Sequence, residues 1–124
     1  MTLRCLIVDD SPHFLDAART LLEREGIAVE GVASTTAEAL KRVEDVEPDV
    51  ALVDVMLGTE SGFDLARRIH NDTSMDSSRV ILISTYAEED LADLVAEPPA
   101  AGFLSKSRLS ARAIREVLGA PGDA

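Results

Sequence analysis

Short apolar runs alternate five times along the chain with stretches whose apolar residues recur at helical spacing. Leu3 to Val8 is almost continuously apolar, as a strand covered on both faces must be. From about Pro12 to Glu25 the period changes, and Phe14, Ala18, Leu21 and Leu22 fall on one helical face. Asp10 or Ser11 can cap this helix, Pro12 suits its first turn, and Gly26 ends it. A second strand is predicted over Ile27 to Val32. Ser34-Thr35-Thr36 with Glu38 then opens a helix presenting Ala37, Leu40 and Val43, and Pro48 stops the loop that follows. The third strand is Val50 to Val53, and the third helix runs from Gly62 to about Asn71, burying Leu65, Ala66 and Ile69. The fourth strand is Arg79 to Ile83. The fourth helix, about Ala87 to Ala96, buries Ala87, Leu91, Leu94 and Val95 and is ended by Pro98-Pro99. Ala101 to Leu104 is the last strand, and the fifth helix, about Ser110 to Leu118, buries Ala113, Ile114, Val117 and Leu118.

Strand–helix units repeated in this way predict an α/β fold, a five-stranded parallel sheet with helices on both faces. Residues 1–119 are expected to form one domain and 120–124 a frayed tail, with no linker and no internal sequence repeat.

Composition narrows the function. With 46% hydrophobic residues the chain is globular, and no apolar run approaches bilayer length. The N-terminus lacks a basic-then-apolar leader, so the cytoplasm is the expected location. Cys5 is the sole cysteine and reads as an inert core thiol, excluding an intrachain disulfide. A net charge of −11 argues against a nucleic-acid surface on this chain. His13 and His70 read as surface residues.

Most of the acidity is solvated surface. Asp9, Asp10 and Asp54 differ, because they sit against apolar strands. Singly, each would be a helix cap, Ser84 a loop hydroxyl and Lys106 a solvated cation. Together they all fall just after strands, and in an open parallel sheet the ligand crevice lies beyond the strands' carboxyl ends. Crowded carboxylates repel by on the order of 4 kcal/mol per pair at about 4 Å and an effective dielectric of about 20. That repulsion calls for a cation, and all-oxygen ligands suit Mg²⁺ or Mn²⁺. Lys106 and Ser84 suit phosphoryl oxygens. A carboxylate nucleophile, a metal, a lysine and a hydroxyl together make a phosphoryl-transfer site.

Leu6-Ile7-Val8-Asp9-Asp10, Leu52-Val53-Asp54, Ser61-Gly62-Phe63, Ile81-Leu82-Ile83-Ser84 and Gly102-Phe103-Leu104-Ser105-Lys106 resemble the receiver domain of two-component response regulators, over nearly the whole chain. The resemblance implies the flavodoxin-like strand order 2-1-3-4-5. It implies that Asp54 accepts a phosphoryl group from a histidine kinase or phosphotransfer protein, with Asp9, Asp10, Asp54 and the Met56 carbonyl holding Mg²⁺ (or Mn²⁺). Lys106 would contact the phosphoryl group. Ser84 and Phe103 would switch the face built from the fourth helix, fifth strand and fifth helix, which meets an output partner or pairs two copies. No enzyme activity is expected beyond self-catalysed phosphorylation and dephosphorylation.

Some positions depart from the family pattern. Ser107 stands where the family has proline, Gly58 where proline is common, Ser84 where threonine is commoner and Thr85 where alanine is common. Met56 and Tyr86 are bulky residues that flank the site and are expected to shield an acyl phosphate. Rival readings are a degenerate receiver acting as an interaction module, the regulatory domain of a DNA-binding transcription factor, a small aspartyl phosphohydrolase and a flavin carrier. The chain is too short for a substrate cap, and Asp10 to Phe14 lacks a hydroxyl-rich phosphate loop.

Overall fold

The computed structural model describes residues 3–73, 75–76, 79–85 and 101–119. Five parallel strands form the sheet: β1 (Arg4–Val8), β2 (Ala28–Ala33), β3 (Val50–Asp54), β6 (Val80–Ser84) and β7 (Gly102–Ser105), in the order β2-β1-β3-β6-β7. Numbered among themselves, these are the expected 2-1-3-4-5. Between β3 and the third helix lies a feature the periodicity did not reveal, an antiparallel hairpin of β4 (Met56–Leu57) and β5 (Glu60–Ser61). Two residues per strand are too few to show an alternating pattern.

Helices α1 (Pro12–Arg24), α2 (Thr36–Val46) and α3 (Gly62–Asp72) precede a C-terminal helix, Ala111–Val117. Each begins where a hydroxyl can take an orphan amide. Ser11 Oγ accepts from Phe14 N, Thr35 Oγ1 from Glu38 N, Ser61 Oγ from Phe63 N and Asp64 N, and Ser110 Oγ from Ala113 N. Of the two candidate caps for α1, Ser11 is the one used. Gly26, at φ 91°, follows the C-cap of α1.

The sheet divides the core in two. One side gathers Leu6, Val8, Val53, Leu57, Leu65, Ile69 and Leu82, and the other Ile7, Leu22, Leu52, Ile81, Ile83 and Ile114. Cys5 is fully buried there, and burial pushes its thiol up to about 12, so it is inert as expected. Two expected core positions are exposed: Ala37, where Ala39 takes its place against the sheet, and Leu21, which keeps 37% of its surface, while Ala113, Val117 and Leu118 are only half-buried. The expected fourth helix, Pro98-Pro99, Tyr86 and the tail 120–124 lie outside the described residues. Among the described residues no helix is long and apolar enough to cross a membrane.

Candidate functional site

Register brings the chemistry together. Val8 pairs with Val53, Asp54 with Ile83 and Ser84 with Ser105, so β1, β3, β6 and β7 end at one rim. Asp9 and Asp10 leave β1 there, Asp54 and Ser84 are the last residues of β3 and β6, and Lys106 follows β7. A cavity of about 230 Å³ at this rim is lined by Asp10, Asp54, Met56, Gly58, Ser84, Thr85 and Lys106. A larger cavity of about 570 Å³ opens on the other side of Lys106, lined mainly by apolar α1 residues such as Phe14 and Leu21. The carboxylates face the smaller one, which is therefore the chemical site.

Asp9 is wholly buried, Asp54 is 6% exposed and Asp10 is open to solvent. One carboxylate oxygen from each lies within 4.8 Å of the others. Asp9 Oδ1 accepts from Ser11 N at 2.8 Å. Asp9 Oδ2 lies 2.6 Å from Lys106 Nζ, but the contact is poorly directed, and this buried oxygen accepts no well-formed hydrogen bond among the described residues. Asp54 Oδ1 accepts from Met56 N at 3.2 Å, and Asp54 Oδ2 from Lys106 Nζ at 3.3 Å.

These surroundings set the charges. Burial raises the Asp54 pKa and the Asp9 charge adds to it, against the Met56 amide and Lys106, which pull it down. Burial pulls Lys106 down, but its contacts with Asp9 and Asp54 outweigh that and leave it raised, so it is a fixed cation. Its ammonium also sits 4.3 Å from the centroid of the Phe14 ring. Three clustered carboxylates against a single lysine, which pairs with Asp9 and Asp54, leave excess negative charge on oxygen donors, the chemistry of a Mg²⁺ site.

Two glycines allow the backbone to close around Asp54. Gly62 N donates to Val55 O at 2.9 Å, and a Cβ at Gly62 would collide with the Asp54 carbonyl and lie 2.8 Å from Val55 Cα. Gly58, at φ 62°, turns the hairpin in the left-handed region, and a Cβ there would meet Asp10 Oδ2 at 3.7 Å. After β7, Lys106–Arg108 form a 3₁₀ turn in which the Ser105 and Ser107 hydroxyls pair at 2.9 Å, so Ser107 shapes the loop where the family has proline.

Asp10, Asp54, Met56, Ser84 and Lys106 line the cavity, and Asp9 lies buried against Lys106. Phe103 stands apart, half-buried in β7 opposite Leu82 and packed against the core. Met56 is 56% exposed at the mouth. Phe14 and Glu60 were not foreseen as part of the site. Phe14 carries the same apolar signal as any core residue of α1, and Glu60 looks like one more surface acid.

The family model described as the response regulator receiver domain matches residues 5–118. The chain is 42% identical over 69 residues to the heme response regulator HssR of Staphylococcus saprophyticus, covering 55% of this chain and 30% of that protein. It is similar to the crystal structure of a two-component response regulator of the LuxR family from Aurantimonas, with TM-score 0.80 and 27% identity over 95% of this chain and 86% of that one. It is also similar to a CheY-like receiver domain protein from Methanospirillum hungatei, with TM-score 0.72 and 29% identity over 94% and 90% of the two chains. The chain spans about half or less of the length of curated relatives that it matches.

Proposed function

The chain belongs to the response regulator receiver domain family, and from that premise we propose that Asp54 is the phosphoacceptor of a signalling switch. The observation that carries this reading is the convergence of Asp10, Asp54, Ser84 and Lys106 on one small cavity at the strand ends, with Asp9 buried against Lys106. Residues 1–119 are the switching unit and 120–124 its tail.

An Asp54 carboxylate oxygen attacks the phosphorus of a phosphohistidine on a histidine kinase or phosphotransfer protein. The O–P bond forms, the N–P bond breaks, and the imidazole leaves with its electron pair. Asp9 and Asp10, with Asp54 and the Met56 carbonyl, hold Mg²⁺ or Mn²⁺, which when bound neutralises the charge on the phosphoryl oxygens. Lys106 supplies a second positive charge from the opposite wall, already oriented by its contact with Asp54. Ser84, at the end of β6, offers its hydroxyl to a phosphoryl oxygen.

Ser84 and Phe103 couple the site to output. The two strands that carry them are paired side by side, so a shift at Ser84 is felt along β7. The resulting change in population falls on the face formed by β7 and the C-terminal helix. That face meets an output domain or partner, or a second copy of the chain. Phosphorylation and its reversal are promoted by the chain's own residues, in the cytoplasm.

Incubation with acetyl phosphate and Mg²⁺, followed by intact-protein mass spectrometry, tests the reading. One phosphate is expected on the wild type and none on Asp54→Asn. Failure of the wild type to gain phosphate from any small donor would leave a degenerate receiver instead. Met56, open at the mouth, shields the acyl phosphate from water. Met56→Asn with Tyr86→Glu is therefore expected to speed phosphate release, and an unchanged time course would remove the shielding role.

A further inference from the structure

The hairpin β4–β5 hangs over the acidic cavity, which Met56 and Gly58 help to line. Its inner end is tied to the phosphoacceptor, because the Met56 amide donates to Asp54 Oδ1. Its outer end is tied elsewhere. Glu60 Oε1 accepts a 2.8 Å hydrogen bond from the amide of Thr36, twenty-four positions away in the chain. Thr36 is the first residue of α2, and its amide is one that no turn of the helix can satisfy. Thr35 Oγ1 takes the amide of Glu38, while Glu38 Oε1 takes the amide and hydroxyl of Ser34. The Thr36 amide is left for Glu60. Leu57, paired with Glu60 across the hairpin, is buried in the same core cluster as Ala39 and Val43 of α2. The two members of a single cross-strand pair thus hold the hairpin down, Leu57 in the core and Glu60 on the α2 amide.

We infer that Glu60 is a positioning residue for the acidic site: by clasping the N-terminus of α2 it fixes the hairpin, and with it the backbone of Met56 and Gly58, over Asp10 and Asp54. The inference rests on the Mg²⁺ reading of that site only for its second readout. Four backbone torsions separate Gly58 from its tether at Glu60, and Gly58 is the most permissive residue in the turn. Without the tether, the loop that carries Met56 keeps the bond of its amide to Asp54 and the burial of Leu57. Residues that orient metal ligands typically change metal affinity by about tenfold or more when removed.

Amide hydrogen exchange and Mg²⁺ titration calorimetry on the full chain test this. Glu60→Ala is expected to speed exchange at Thr36 and across residues 57–61, and to weaken Mg²⁺ binding by about tenfold. Glu60→Gln, which keeps the acceptor and loses the charge, restores both. Thr36→Pro removes the donor at a position where proline suits the first helical turn, and it is expected to reproduce the Glu60→Ala result with Glu60 intact. Faster exchange confined to α2, with the hairpin and Mg²⁺ affinity as in the wild type, would reduce Glu60 to a helix cap and overturn the inference. A wild type that binds no Mg²⁺ would defeat the metal reading instead. The exchange rates of the hairpin then decide the role of Glu60 alone.

Discussion

The two ends of the sheet carry charge in opposite ways. At the amino end, Arg4 N donates to Asp49 Oδ2 at 2.9 Å and the Arg4 guanidinium reaches the carbonyls of Val46 and Glu47. Arg79 there bonds the Asp49 carbonyl at 3.1 Å. Two arginines flank one aspartate, and they staple the end of α2 and the loop before β3 to the strands. At the carboxyl end Asp9 and Asp54 share one lysine with the Asp10 carboxylate close by, and a fully buried oxygen of Asp9 lacks a well-directed hydrogen bond. One end spends its polar groups on holding the fold, while the other leaves them poised for something to arrive. A metal-free receiver should therefore be strained at one rim and relaxed at the other.

The largest expected effect breaks the backbone on which the poised rim depends. Gly62→Ala puts a methyl group into the Asp54 carbonyl, and urea unfolding should show a loss of about 3 kcal/mol, the upper range for overpacking. A smaller loss would mean that α3 can retreat from β3 without cost. Next comes relief of the carboxyl rim by its ion. Mg²⁺ at about a hundred times its dissociation constant should add about 2.7 kcal/mol, seen as a higher melting temperature, and Asp10→Asn should reduce the gain. An unchanged melting temperature at millimolar Mg²⁺ would count against the assigned ligands.

Paired substitutions sharpen the contrast further. In metal-free buffer at neutral pH, Asp54→Asn should stabilise the protein, because the folded state holds that carboxylate at a raised pKa. The sign follows from linkage: a carboxyl whose pKa rises on folding favours the fold while protonated and loses that contribution as pH climbs through its folded pKa. The gain from Asp54→Asn should therefore shrink as the pH is lowered through that range, and chemical denaturation at several pH values would show it. Asp49→Asn, at the opposite end, should destabilise by about 0.5 kcal/mol at neutral pH, since it weakens a half-exposed cluster. Equal signs for the two substitutions would erase the distinction between the rims.

The fold was legible because the strands of the parallel sheet are mostly apolar and each described helix has a hydroxyl at its start. Ser11, Thr35, Ser61 and Ser110 all serve as the caps that their positions imply. The site was legible because parallel strands deliver their last residues to one place, so residue type and position after a strand were enough. What escaped were contacts that depend on where one element lies over another. Nothing in the sequence of Glu60 distinguishes it from a solvated acid until the hairpin brings it to Thr36. Leu21 has the spacing of a core residue, yet it lines an open cavity because the turn after β7 does not cover it. Ala39 displaced Ala37 because two small residues two apart cannot share one helical face, and only the angle of α2 on the sheet chooses between them.

The seat of Lys106 on the Phe14 ring has a consequence for motion. A hydrogen-bond acceptor under the ammonium would fix its direction, and turning toward an incoming group would mean breaking that bond. The face of an aromatic ring attracts the charge with little preference for azimuth. The ring thus supports the ammonium without competing for the bonds it makes to Asp9 and Asp54, as a bearing carries a shaft and leaves its working end free.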